Sequence, residues 1–359
     1  YNRYSSFGND AGANLLFLLL IYKTFDLTKK EISTDDIFFL SFISIFCFAQ
    51  KSFFILSFII PFLIFIYFQK KNFFLIIKSK KTLILLSLMS ILFIKNILIS
   101  GCIIFPAKKT CFKNLSWYND ITTTREEIMA EAWAKDWINS NQKLPTEKYI
   151  QNLNWFKTWS DNHAIIILKK LIIFLSILFF FIIYAFISSK KKFLNSKPND
   201  EKIFIILIIA SIISFFFWFT KFPIYRFGSG VIGGSIIVFS TYFLSKINYV
   251  ISKKILFVFI LILIFGIIAK NSIRIYKKIG LNYFQYPWPK IYSLSNTVNE
   301  LNKTNFTKYN LNNKFMFYTA KDGYCMYGPA PCTYYIDKTI SKKNIYGYNV
   351  FFIKTMSKK

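Results

Sequence analysis

Long apolar runs, separated by short lysine-rich or polar segments, organise this chain. A bilayer core takes about 20 apolar residues as a helix, with about 17–25 the usual range. Thr82–Phe105, Ala164–Ile187, Ile203–Thr220 and Ile255–Lys270 fall in or close to that range. Lys169 and Lys170 lie near one end of the second run, so Leu171–Ile187 is its apolar core. Gly228–Phe243 is a fifth run, rich in Gly and Ser, which suits a helix packed closely on its neighbours. Ala11–Phe25 is a shorter sixth, and its polar start can extend the helix.

Ile37–Phe68 is 32 residues long, too long for one span, with Gln50 and Lys51 in its middle. Charge decides how it divides. Lys29 and Lys30, then Lys70, Lys71, Lys78, Lys80 and Lys81, then Lys190–Lys192 and Lys197, then Lys246, Lys253 and Lys254, occupy alternate short loops. The intervening segments Tyr1–Asp10 and Lys221–Phe227 carry few basic residues. The positive-inside rule makes the lysine-rich loops cytoplasmic. For Lys29 and Lys70 both to lie inside, Ile37–Phe68 must cross twice, as a hairpin of Ile37–Ala49 and Ser52–Phe68. A helix of about 13 residues reaches about 20 Å, so the turn is expected below the outer surface.

The expected fold is therefore an all-α polytopic transmembrane bundle of about eight membrane segments, with both ends outside. Residues 1–270 form this transmembrane domain, with an extracytoplasmic loop at 106–163. Residues 271–359 form a small extracytoplasmic α/β cap, with a helix-like stretch at Trp288–Leu301 and β-like runs at Lys314–Tyr318 and Tyr346–Lys354.

Composition narrows the function. Hydrophobic residues make up 54% of the chain, and in continuous runs, which excludes an ordinary soluble enzyme. The 46 Lys and Arg against 17 Asp and Glu give a formal charge of +29. Nucleic-acid binders carry such an excess, but not together with repeated runs of membrane length; here it belongs to the inner loops. Only four of the basic residues are Arg, and Ile, Phe, Asn and Lys abound. AT-rich coding explains this and inflates the lysine count. The start at Tyr1, on a polar stretch leading into a membrane run, reads as the C-terminal part of a longer protein.

The 106–163 loop holds seven of the 17 acidic residues and five tryptophans: Trp117, Trp133, Trp137, Trp155 and Trp159. Thr123–Asn139 reads as a helix, with Thr122–Thr124 ahead of Glu126 and Glu127 as its N-terminal signal. The tryptophans are read as interfacial anchors in preference to sugar-stacking platforms. In GYCMYGPAPC, Cys325 and Cys332 are expected to form a disulfide in an oxidising compartment. Cys102 and Cys111 are a second possible pair, and Cys47 is plain core. With His163 the single histidine, no structural zinc site is expected.

Ionisable groups within the membrane mark functional cavities by default. Lys51 and Lys95, with Lys221 and Arg226 in FTKFPIYRFGSG, all fall at a similar outer depth. Cations near Gly228 and Gly230 suit a phosphate headgroup, so Lys51, Lys95 and Arg226 are the candidate phosphate ligands. Lys221, like Lys169 and Lys170, is read as snorkelling to the headgroups. Among the acids at this level, Asp10 is the best placed general base, ahead of Asp120 and Asp161. A helix N-cap is the preferred role for Asp10.

The ordered features RYSSFGNDAGANLLFLLLI, FCFAQKSFFILSFIIP, IKNILISGCIIFPAKKTCFKNLSW, FFFWFTKFPIYRFGSG and CMYGPAPCTYY resemble a family of bacterial polytopic inner-membrane proteins of uncharacterised activity. That family is similar to the glycosyltransferase-C superfamily, and the resemblance spans nearly the whole chain. It implies a polyprenyl-phosphate sugar as donor substrate, a cavity facing the periplasm, and an envelope glycan or lipid as acceptor. It implies that Ser100–Pro106 shapes the cavity rim and that Lys51, Lys95 and Arg226 meet the donor phosphate. The superfamily's catalytic Asp lies in a first outer loop near the N terminus, a part with no counterpart here. The resemblance thus implies that this stretch lacks the main catalytic acid and lends no support to Asp10 in that role. An O-antigen polymerase or ligase, and a transporter or flippase without glycosyl transfer, are the competing readings.

Overall fold

The computed structural model describes residues 10–115, 117–141, 144–188, 198–246, 253–276, 306–311, 315–320, 332–333, 340–345 and 347–353. The chain divides into two compact units, Tyr1–Ile267 and Ile268–Lys359.

The first unit is helical. Five described helices are long and apolar enough to cross a membrane: Asp10–Lys29, Ser52–Gln69, Lys80–Ser100, Glu201–Lys221 and Tyr225–Ser245. Where the hydropathy pattern led to eight segments, these five meet that measure. The helices Ile165–Ser188 and Lys253–Tyr276, each of 24 residues, lie over two further expected segments.

The eighth expected segment is the first arm of the hairpin, and its length differs from expectation. Ser33 and Asp36 form a capping box, each side chain accepting from the other's backbone amide, at 3.3 and 3.0 Å. This draws Thr34–Asp36 into the helix, which runs Thr34–Gln50 over 17 residues instead of starting at Ile37. It therefore reaches about 25 Å, close to a full hydrocarbon core.

The chain reverses at Lys51. Ser44 Oγ donates to the Ser57 carbonyl at 3.2 Å, and Ser57 Oγ donates back to the Ser44 carbonyl at 3.4 Å. On a straight helix these residues would stand about 20 Å apart. The returning arm is irregular: a 3₁₀ stretch Ser52–Phe58, a short α-helix Ile59–Ile64, then a π-turn Phe65–Gln69. Pro61, which has no amide to donate, lies within it. Gln69 Nε2 donates to the Ile32 carbonyl at 2.6 Å, closing the hairpin beside its start. At this same end Lys81 pairs with Asp35 at 2.5 Å, so the helix Lys80–Ser100 rises from there.

That helix stops at Ser100, short of the expected Phe105. Gly101 is left-handed, with φ 77°, and a right-handed helix cannot continue through it. Cys102 and Cys111 then close a small loop by a disulfide. Helix formation resumes at Asp120–Ala134, earlier than the threonines indicated, because Asn119 Oδ1 caps it by accepting from the Thr122 amide at 2.9 Å. Asp136, with φ 66°, terminates the turn after it.

Packing centres on the first helix, Asp10–Asp26, which lies against both Thr34–Gln50 and Tyr225–Lys246. Phe17, Leu20, Ile21, Leu40, Ile43 and Val231 are buried there. The contact with Tyr225–Lys246 is backbone-close. A Cβ built on Gly230 would meet Asn14 Oδ1 at 2.7 Å and Asn14 Cα at 3.0 Å, and one on Gly234 would overlap Ile21. Both contacts advance in the same chain direction, so the two helices are parallel and start at the same end. By contrast, Lys80–Ser100 buries none of its side chains, as suits a helix at the lipid boundary.

The second unit contains two sheets among its described residues. Phe306–Leu311 pairs antiparallel with Phe315–Ala320, which pairs parallel with Cys332–Thr333. Ile340–Ile345 and Tyr348–Ile353 form an antiparallel hairpin. The two expected β-runs fall on strands. The helix-like stretch Trp288–Leu301 and Cys325 lie outside the described residues, while Cys332 is disulfide-bonded.

Candidate functional site

Three separated chain segments each deliver one charged group to one point. Asp10 is helical, in the first described turn of Asp10–Asp26, where an acid is favoured by the helix dipole. Lys51 follows the last helical residue of Thr34–Gln50 in extended backbone, at the turn of the hairpin. Arg226 lies in the first turn of Tyr225–Lys246 and not in a loop, because only Phe222–Ile224 separate the two helices there. The Ile224 carbonyl accepts from the Phe227 and Gly228 amides at 3.1 and 3.2 Å, which starts that helix early.

The Asp10 carboxylate binds one cation with each oxygen: Oδ1 accepts from Lys51 Nζ and Oδ2 from Arg226 Nε. Exposure grades across the cluster. The Asp10 side chain is 10% exposed, Lys51 21% and Arg226 49%. The deep side is therefore the Asp10–Lys51 pair and the open side is the guanidinium. Lys51 Nζ also sits 3.1 Å from the centroid of the Phe227 ring, a cation–π contact.

Asn14 positions all of this, and sequence reading missed it. It is buried, its Nδ2 donates to the Asp10 and Arg226 carbonyls at 2.6 and 3.2 Å, and its Oδ1 accepts from the Gly230 amide at 2.6 Å. The available signal was an amide inside an apolar run, one turn after an acid, with a Gly-rich segment elsewhere to receive it.

Lys95 does not join the cluster. It is exposed on Lys80–Ser100, a helix that packs mainly along Thr34–Gln50. Lys221, expected to snorkel, pairs instead with Glu131 Oε2 of the large loop at 2.9 Å. Lys170 lies 3.8 Å from the Tyr225 ring centroid. Asp120 is bonded by Lys108 at 2.8 Å, and this hydrogen bond holds its carboxyl below the usual range. Asp161 is exposed in the turn Ser160–Ala164.

The large loop is docked onto the helices by residues that the pattern assigned to the interface. Trp159 Nε1 donates to the Pro223 carbonyl at 2.5 Å, and the Trp155 and Trp159 rings pack on Phe219. Both rings are buried and so are closed to a sugar; Trp133 remains exposed. Lys135, paired with Glu131 at 2.6 Å and lying over Trp155, is driven below the ordinary lysine range by burial.

At the opposite end of the bundle, a cleft of about 370 Å³ is lined by Lys23, Lys29, Lys30, Asp26 and Asp36 among others. Its lysines are paired within it, Lys23 and Lys29 with Asp26 and Lys30 with Asp36. Those charges come from neighbouring residues, whereas the Asp10 cluster gathers three distant segments. Among the described residues no group of three His, Cys, Asp or Glu is placed to hold a metal.

No curated protein and no solved structure matches the chain. A family model does match, over residues 1–233, and this stretch contains Asp10, Asn14, Lys51, Arg226 and Gly230. The chain belongs to the family described as Domain of unknown function (DUF8201).

Proposed function

We propose that the Asp10–Lys51–Arg226 cluster is the headgroup site of an inner-membrane glycosyltransferase of glycosyltransferase-C type. It takes a sugar from a polyprenyl-phosphate donor to an envelope glycan or lipid. One observation carries the reading: two cations from distant segments meet at an anion position where two parallel helices begin. A phosphate leaving group needs that arrangement, with a planar guanidinium and a point ammonium steadying the charge as the glycosidic bond breaks. Asp10 is the base for the acceptor hydroxyl.

The test is binding and transfer by the protein in liposomes with a labelled polyprenyl-phosphate sugar. Lys51→Ala and Arg226→Ala should each weaken donor binding about tenfold to a hundredfold, the worth of one charge-assisted hydrogen bond. Lys95→Ala should leave it unchanged. Full-strength binding in both cluster variants would remove the site assignment.

The reading requires the cluster on the periplasmic side, with eight segments and both ends of the chain outside. The lysine-rich end, with Lys29, Lys30, Lys70, Lys71, Lys80 and Lys81, then faces the cytoplasm. An impermeant thiol reagent applied from outside should label Asn141→Cys and spare Lys30→Cys; the reverse pattern would invert the topology.

The irregular returning arm after Lys51 favours a second reading, a transporter or flippase coupled through the same cluster. Counter-flow of a soluble substrate, without sugar transfer, would establish it in place of the first. An O-antigen polymerase or ligase would use the same cluster but yield longer glycan chains.

A further inference from the structure

We infer that Asp10 is an internal counter-ion, occupying the anion position until a phosphate group displaces it. This rests on the phosphate-site reading above and specifies how that site opens.

Lys51 and Arg226 carry like charges and meet at one point, and an anion between them relieves their repulsion. Asp10 supplies it, with one oxygen committed to each cation. A phosphate bound to the same two groups would compete with that carboxylate directly. The backbone need not move for the exchange. Asn14 holds the Asp10 carbonyl and the Arg226 carbonyl together, so the carboxylate can leave by side-chain rotation while the helix ends stay in place. The half-exposed side chain of Arg226 marks the side from which the incoming anion arrives.

Two consequences follow from direct competition. An incoming carboxylate offers no more charge than Asp10 already supplies, and neither does a sugar-linked prenyl phosphate, a phosphodiester with one charge. The prenyl monophosphate left after transfer offers up to two charges and three oxygens. The site therefore favours a prenyl monophosphate over a carboxylate and over the sugar-linked diester. Displacement also frees the Asp10 oxygens, which are both engaged beforehand, to accept a hydrogen bond from a second substrate's hydroxyl. Binding is then ordered, with the phosphate carrier first and the hydroxyl acceptor second.

The experiment compares the whole protein with Asp10→Asn, in detergent, using a fluorescent prenyl monophosphate and, separately, inorganic phosphate. If the carboxylate fills the site about nine-tenths of the time, its removal tightens apparent binding about tenfold. Tighter binding of both probes assigns the effect to the phosphate alone, and of the prenyl probe only, to a lipid carrier. Equal or weaker binding of both in Asp10→Asn, with the wild type still binding, overturns the inference and leaves the site reading standing. Failure of both proteins to bind overturns both.

The wild type provides a measurement that no folding defect of the variant can obscure. With ¹³C-labelled aspartate, the infrared carboxylate bands should shift when prenyl phosphate binds. Binding with unmoved bands would show that Asp10 is not displaced.

Discussion

Trp159→Ala should release the large loop from the membrane helices at a cost of about 3–5 kcal/mol, the range for truncating a buried tryptophan. The ring is buried, 5.3 Å from Phe219 and 6.0 Å from Trp155 between centroids. Its indole N–H satisfies the Pro223 carbonyl in the turn between two helices. Truncation removes the packing, orphans the carbonyl and uncovers Trp155, the ring beneath Lys135. The loss is local, so limited proteolysis should cut between Asp120 and Ile150 well below the temperature at which the bundle melts. Trp159→Phe keeps most of the contact and loses the hydrogen bond, and should cost about 1–2 kcal/mol. Wild-type protease resistance in the Ala variant would show that the loop is held by other contacts.

Gly230→Val should cost about 3 kcal/mol, from overpacking together with broken buried hydrogen bonds. The nearest obstacles to a side chain there are Asn14 Oδ1, Cα and Cβ, and a backbone atom cannot turn aside as a flexible side-chain end can. The two parallel helices must separate, which breaks the bond from the Gly230 amide to Asn14 and loosens its grip on the Asp10 and Arg226 carbonyls. Prenyl-phosphate binding should therefore fall with the melting temperature. Gly233→Val is the matched control, since a Cβ there would meet nothing within 4 Å beyond the nearby backbone of its own helix. Equal loss in both variants would mean that helix propensity, not close approach, is responsible. A comparable loss from Gly266→Val, also in open space, would point the same way.

Much of the scaffold was legible from residue type alone. The 54% apolar content in continuous runs points to membrane helices, because lipid leaves a backbone no partner but itself and a barrel strand would alternate apolar with polar residues. Lysine spacing alone places the reversal at Gln50–Lys51, and the mutual Ser44 and Ser57 bonds occur where that reversal puts them. The structure departs from the hydropathy pattern at helix ends, where one or two polar atoms decide. The Ser33–Asp36 box lengthened one helix, Gly101 shortened another, and Asn119 moved the start of a third. Hydropathy averages over these atoms and cannot see them.

Candidate chemistry was legible as residue type and approximate depth, not as grouping. Lys51, Lys95, Lys221 and Arg226 looked alike because a hydropathy profile fixes height along the membrane normal and leaves rotation about it unknown. Azimuth is set by packing. Gly230 and Gly234 bring Tyr225–Lys246 against Asp10–Asp26, and that rotation turns Arg226 toward Asp10, while Lys95 stays on an exposed face and Lys221 meets Glu131. The sequence by itself determined which side chains are too polar to lie idle in a membrane; the tertiary structure alone decided which of them share a charge. A contact between residues 216 positions apart, such as Arg226 with Asp10, depends on helix rotation, and no local pattern encodes it.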